Sequence, residues 1–377
     1  MQQEIENRTA RLAVIALALL YGAAHLAWYG TTPLGGFPVL DGREILELAK
    51  TIAAGTLANE PFYRAPLYPA LIAVFIQLGV PEGLLPDAAR LVNLLAHVAS
   101  AILVYELARR IWGKVNAGLL GGALYALYPV ALHFAGDPLD ISLATSLALG
   151  STLAAWLAWE HASWRAAVTA GALLTLASLA RPNFLVCVPA LLLWLAVLAW
   201  RDRRCLPLLV GGALGSVAIL LAMGVVNQRV GGEFRLVPWQ GSHAIWDANG
   251  PGVSGLYYQH TIAIPDMVPG SNPARAEAEI LYCRDRPCSE RIDIDDFQAY
   301  WRSRWIDHVS AEPGAWLRLL RDKTWYLINN YEQYNNKTYW FHKDRAPWLR
   351  WNPLGWAVIL ALAAEQIMTS LQQSYVL

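Results

Sequence analysis

Seven stretches of this chain are long, apolar and nearly free of charge: residues 10–28, 89–111, 115–135, 139–159, 166–181, 183–200 and 206–227. Each is mostly Leu, Ala, Val and Gly, and most approach the roughly 20 residues a helix needs to cross a hydrocarbon core of about 30 Å. Charged residues make up only 15% of the chain, well under the quarter usual in soluble domains, and 56% are hydrophobic. The fold class expected is an all-α polytopic membrane protein. The formal net charge is zero, and nothing in it suggests a basic surface for a nucleic acid.

The first stretch has neither the short apolar core nor the small-residue cleavage site of a secretory signal, so it reads as a retained helix. A weaker candidate lies at 353–370, interrupted by Glu365 and Gln366. Residues 66–79 (PLYPALIAVFIQLG) are apolar but short, closer to a surface-dipping helix than to a span.

The connections fix an orientation. ARRIWGK carries Arg109, Arg110 and Lys114, and RDRRC carries Arg201, Arg203 and Arg204, whereas GDPLD has no basic residue. By the positive-inside rule the Arg-rich connections and the N-terminus are cytoplasmic and GDPLD faces outward. Residues 1–227 then form a transmembrane module whose external loop, 30–88, holds an amphipathic helix near 43–54, ended by Gly55, and the short helix at 66–79. Residues 228–351 form a second external region with turns such as DANGPGVSG and helical patterns at 295–309 and 312–331. Residues 352–377 read as a C-terminal membrane segment, naturally short or truncated. Cys283 and Cys288 in YCRDRPCSE fall in the second external region and suit a local disulfide in an oxidising compartment. Their spacing is a poor zinc pattern.

Several charged residues gather on the outward side. Asp41 opens the amphipathic helix in VLDGREILELA, with Glu44 three residues on, the pattern of a capping box. A capping Asp at the surface is also able to take a proton from a substrate. Arg64, beside Tyr63 in FYRAPLYP, fits either an interfacial snorkelling arginine or a bidentate phosphate clamp. Asp137 and Asp140 in GDPLD place two carboxylates within four residues, and capping accounts for one. Arg181 in LARPN stands at an outer turn before Pro182, where a topological anchor is not needed. Together these suggest an anionic lipid headgroup held by Arg64 and Arg181, with Asp41 deprotonating a nucleophile. A lipid-linked phosphosugar fits that description. No P-loop, zinc-protease or nucleophile-elbow motif occurs, and GGALGS at 211–216 reads as helix packing inside a span.

One span, an outer loop with an Asp-led helix, an arginine in an aromatic-Pro stretch, a short apolar helix, then spans joined by ARRIWG and ending at an LD turn: this order resembles the GT-C fold glycosyltransferases that use polyprenyl-phosphate sugars. The resemblance is to the bacterial family related to protein O-mannosyltransferases and the lipid A aminoarabinose transferase, and it covers residues 10–227. The stretches NQRVGGEF, VPWQGSHAIWDANGPGVSG and NNYEQYNN are similar to a bacterial subgroup. The resemblance implies an inverting transferase in a bacterial inner membrane, with a periplasmic active site and a polyprenyl-phosphate-linked sugar as donor. The acceptor, whether glycan, lipid or protein, is not named by it. It implies Asp41 as base or acceptor-positioning residue, Asp140 as the acid of the second outer turn, Arg64 as donor-phosphate ligand, and Arg181 as the basic residue of the later outer turn, read above as a second phosphate ligand. Glu44, Tyr63 and Asp137 are possible supporting residues. Relatives often have Asp-Glu where this chain has Asp41-Gly42, which leaves any role of the second acid empty or moves it to Glu44. The implied chemistry uses no metal, although the outer carboxylates are of a type that binds Mg²⁺ or Mn²⁺. Two alternatives stay open: a non-catalytic membrane assembly subunit, and a lipid or sugar transporter.

Overall fold

The computed structural model describes residues 2–57, 59–256, 261–264, 267–288, 292–332 and 336–363. It is 77% helical, and no strand occurs among the described residues. The sequence-predicted segment 353–370 lies partly outside them, including Glu365 and Gln366. The chain divides into two compact units, Met1–Leu127 with Phe134–Trp239, and Tyr128–His133 with Gln240–Leu377.

The first unit contains α1 (Gln2–Gly30), α2 (Pro33–Gly36), α3 (Asp41–Ala54), α4 (Leu67–Gln77), α5 (Leu85–Trp112), α6 (Val115–Ala126), the end of α7 (Pro129–Gly136), α8 (Ile141–Glu160), α9 (Trp164–Ala180), α10 (Cys187–Arg201) and α11 (Leu206–Gly231). Among the described residues five helical stretches are long and apolar enough to cross a membrane, Glu4–Gly30, Glu82–Trp112, Ile141–Glu160, Pro182–Arg201 and Arg203–Gly231, or six if a bent pair counts as one span. Only 17% of the apolar window of Pro182–Arg201 is buried within the protein. Leucines left bare on that scale call for lipid as the solvent of the rest.

The apolar run 115–135 does not form the single straight span expected. It breaks into α6 and α7, bent by 46°. Pro129 explains the break, because it has no N–H for the helical ladder and its ring clashes with the preceding turn. His97 answers the break from α5, its Nε2 lying 3.2 Å from the carbonyl oxygen of Ala126. Residues 166–181 become α9, 17 residues long and so about 25 Å. Residues 66–79 become α4, whose 11 residues reach only about 17 Å, too short to cross.

Small residues let the helices approach. A Cβ on Gly215 of α11 would stand 2.1 Å from the Val168 carbonyl oxygen of α9, so the GGALGS stretch meets α9 backbone to backbone. At one end of the bundle Glu106 pairs with Arg11 and Arg109, and Arg110 pairs with Glu160 at 2.8 Å. At the other end the loop helices are packed into the protein. Ile45, Leu46 and Ala49 of α3, Tyr68 and Ile72 of α4, Leu85 and Ala89 of α5, and Leu139 form one buried cluster. Full burial of an Ile or Leu side chain is worth about 1.5–3 kcal/mol. The region 30–88 is therefore an ordered platform.

The second unit contains α12 (Gly241–Asn249), α13 (Ala274–Asp285), α14 (Ile294–Ala311), α15 (Pro313–Ile328), α16 (Tyr339–Arg345) and α17 (Pro347–Arg350), with residues 356–363 helical as well. α14 and α15 match the predicted patterns at 295–309 and 312–331. α12 runs into the turn-rich stretch DANGPGVSG, and α13 starts at the end of VPGSNPAR. Their packing is aromatic: Trp246, Phe297, Tyr300 and Trp301 meet edge-on or tilted, and Arg304 lies 5.1 Å from the Trp246 ring centre. Residues 128–133 join this unit through His133, whose Nδ1 is 2.7 Å from Nδ1 of His342. Cys283 and Cys288 are disulfide-bonded, with Cα atoms 5.3 Å apart.

Candidate functional site

The charged residues singled out in the sequence converge on one end of the first unit. α3 begins at Asp41, but Leu40 occupies the cap position, in a strained backbone conformation with φ 50°. The expected capping box is thus replaced. Asp41 Oδ1 instead accepts a hydrogen bond from Arg64 Nη2 at 2.8 Å, and Glu44 Oε1 lies 2.8 Å from Arg64 Nε. A guanidinium offers two carboxylates a stronger partner than helix N–H groups do, and that redirects both side chains. The turn of helix between residues 41 and 44 puts both acids on the face toward Arg64.

The second pair is Asp140 and Arg181. Asp140 holds the cap position of α8 without capping it, and its Oδ1 accepts from Arg181 Nη1 at 2.9 Å. Arg181 ends α9 with an extended backbone ahead of Pro182. Burial raises the Asp140 carboxyl above the ordinary carboxylate range, Arg181 pulls it back, Asp41 adds to the rise and Arg64 opposes it. The two pairs are thus close enough to feel each other's charge, and they act as one electrostatic cluster of three acids and two arginines.

Asp137 plays a different part from Asp140. It is 4% exposed and accepts a hydrogen bond from the Tyr29 hydroxyl at 3.0 Å. Asn93 of α5 donates to the carbonyls of Ala135 and Asp137, and accepts from the Tyr68 hydroxyl of α4 at 2.9 Å. Arg90, also buried, donates from Nε to the Gly136 carbonyl at 2.9 Å and from Nη2 to the Gly35 carbonyl, and pairs with Asp87. Asp137 belongs to this scaffold, which fixes the turn that carries Asp140.

Arg64 has a scaffold of its own, and it comes from the far end of the unit. Asn227 of α11, fully buried, accepts from the backbone N–H of Phe62 at 2.9 Å and donates to the Arg235 carbonyl at 2.6 Å. Trp239 donates from its indole to the Pro61 carbonyl at 3.0 Å and from its backbone N–H to the Phe62 carbonyl at 3.2 Å. The Tyr63 ring meets Trp239 edge-on at 4.7 Å. Residues 61–63 are therefore held from both sides, immediately before Arg64. Asn93, Asn227 and Arg90 were absent from the sequence-predicted site. Polar side chains in or beside apolar runs were the available signal.

Asp41, Glu44 and Asp140 are the carboxylates at this site able to receive a divalent cation, and each faces a guanidinium here. Among the described residues no group of three or more His, Cys, Asp or Glu is arranged to hold a metal ion.

Residues 63–226 match the family model described as dolichyl-phosphate-mannose-protein mannosyltransferase. The matched segment contains Arg64, Asp137, Asp140 and Arg181 and starts after Asp41. No curated protein and no solved structure matches the chain. The helical membrane module and the family match support a GT-C fold. The match covers less than half of the chain, and over that segment the chain is similar to membrane glycosyltransferases of the GT-C type.

Proposed function

We propose that the protein transfers a sugar from a polyprenyl-phosphate-linked donor to an acceptor hydroxyl on the extracytoplasmic side of the membrane, with inversion at the anomeric carbon. The observation that carries this reading is the paired cluster Arg64–Asp41/Glu44 and Arg181–Asp140. A donor phosphate is a better bidentate partner for a guanidinium than a shared carboxylate, so it draws Arg64 and Arg181 toward itself. Asp41 is then released from Arg64 and free to accept a proton from the acceptor hydroxyl.

In the proposed reaction the acceptor oxygen attacks the anomeric carbon and its proton passes to Asp41. The bond between the anomeric carbon and the phosphate oxygen breaks, and its electron pair stays on the polyprenyl phosphate. The two arginines stabilise that departing charge. Asp140 holds Arg181 at the phosphate subsite. Two arginines supply the positive charge that a metal supplies in other transferases, so we expect turnover to survive EDTA.

The test is Asp41→Asn in purified protein in nanodiscs, assayed with a panel of polyprenyl-phosphate sugars. Asn keeps the size and polarity of the side chain and removes its basicity. Loss of a general base typically costs about 10²–10⁴-fold, with an unchanged thermal midpoint. Turnover equal to that of the parent would remove Asp41 as the base. Absence of any transfer by the parent across the panel, with polyprenyl phosphate unbound, would favour the assembly-subunit reading.

A further inference from the structure

We propose that α15 is a membrane-surface helix, seated in the headgroup layer of an anionic bilayer. None of its 16 residues is buried. Leu319 and Lys323 of the helix touch the rest of its unit. Lys323 Nζ donates to the Ala248 carbonyl at 2.6 Å and to Asn249 Oδ1 at 2.9 Å, and both side chains would lie within 3.0–3.3 Å of a Cβ placed on Gly255. Residues 319 and 323 are one helical turn apart and define the inner face.

The outer face sets large apolar side chains among cations. Leu317 and Trp325 are 60% and 61% exposed, and Ile328 is exposed beside them; Leu327, one turn beyond Lys323 at the C-terminal end, is 69% exposed. A water-facing helix directs lysine outward and leucine inward. α15 turns Lys323 inward beside Leu319 and leaves Leu317, Trp325 and Ile328 outward. The cations interleaved on the same outer face are Arg318 and Arg321, and Asp322 at its edge pairs with Arg321 at 2.7 Å. Leucine, isoleucine and tryptophan set among arginines form the face that enters the boundary between headgroups and acyl chains, where each arginine reaches a lipid phosphate.

Its sequence neighbours fit the same surface. Asn330, just past the end of α15, accepts the backbone N–H of Ala357 at 3.0 Å, at the start of the helical stretch 356–363 with exposed Val358, Ile359 and Leu362. Trp351, 81% exposed, has Arg350 5.8 Å from its ring centre, another aromatic–cation pair of the kind enriched at membrane interfaces. The chain already carries several membrane-crossing helices, so a bilayer is always present. The proposal requires only the membrane character of the chain and does not depend on which reaction it performs.

The experiment places a nitroxide at 317, 328 and, as a water-facing control on α14, 302, one site at a time in a Cys187→Ser, Cys205→Ser background. Full-length protein is reconstituted in phosphatidylcholine nanodiscs with and without phosphatidylglycerol. Labels at 317 and 328 should be more accessible to oxygen than to the aqueous nickel reagent, and the 302 label the reverse. Their contrast should fall without phosphatidylglycerol and in the Arg318→Glu, Arg321→Glu variant. Nickel accessibility at 317 and 328 equal to that at 302 would show a helix in water and overturn the proposal. Dipolar broadening between copies at 317 would overturn it in a different way, by showing that a second copy of the chain covers this face.

Discussion

Gly231, the last residue of α11, offers the sharpest way to separate positioning of Arg64 from stability. A Cβ added there would fall 2.0 Å from the Pro61 nitrogen and 2.2 Å from the Glu60 carbonyl carbon. Both are backbone atoms, and such contacts do not close below about 3 Å, so Gly231→Ala drives the 60–63 segment back by about 1 Å. Arg64 follows immediately and moves with it. A misplacement of about 1 Å costs on the order of 100-fold in rate, and the overpacking costs about 1–3 kcal/mol of stability. The control is the next residue. Gly232 has φ +75° and open space around it, so Gly232→Ala strains the backbone by about 1–2 kcal/mol without pushing on anything. Both variants should lose a few degrees of thermal midpoint. Sugar transfer in nanodiscs should fall roughly 100-fold for Gly231→Ala and stay near the parent value for Gly232→Ala. Equal losses in the two variants, or parental turnover in Gly231→Ala, would refute the link between the α11 terminus and Arg64.

Arg64→Lys keeps the charge but forfeits the planar two-pronged contact, so affinity for polyprenyl phosphate, measured in nanodiscs, should fall about tenfold or more. Asp140 gives a stability effect with a defined sign. Its folded carboxyl is raised above the ordinary value, so the folded state binds a proton more tightly than the unfolded state and stability declines as pH rises through the folded pKa. Asp140→Asn removes that decline. Its thermal midpoint should exceed the parent's at neutral pH, with the gap closing as pH falls toward the unfolded value near 4. A gap that widens in acid would reverse the sign. The EDTA expectation is checked by transfer rates with and without chelator, and a loss restored by Mg²⁺ or Mn²⁺ would assign the outer carboxylates to a metal.

Helix length and placement were legible where the physics is local. Apolar runs of the right length became the long helices, the brevity of 66–79 foretold a helix that does not cross, and Gly55 ends α3 in the left-handed conformation a glycine tolerates. The sequence also contained the proline that breaks 115–135, though the apolar content of the run masks it. The side-chain pairings were not legible. Asp41 followed by Glu44 has the pattern of a capping box, and only the tertiary fold shows that Arg64 takes both carboxylates. Asn227 and Trp239 act on backbone atoms at positions 61 and 62, and a backbone partner leaves no mark in the residue types at its own position. The scaffold of Arg90, Asn93 and Tyr68 escaped for the same reason, since most of its contacts end on carbonyl groups.

The clamp on residues 61–63 also sets an order of events at the ribosome. Arg64 is made early, but Asn227 follows Phe62 by 165 residues and Trp239 follows Pro61 by 178. At about 5–20 residues per second, the segment before Arg64 waits roughly 10–35 s for its fastenings. Throughout that interval the first helices can enter the bilayer while the acidic and basic side chains beside them remain unaligned. A nascent chain stalled before Trp239 would insert with the segment before Arg64 still unfastened, so the proposed site is complete only once the end of the first unit has been made.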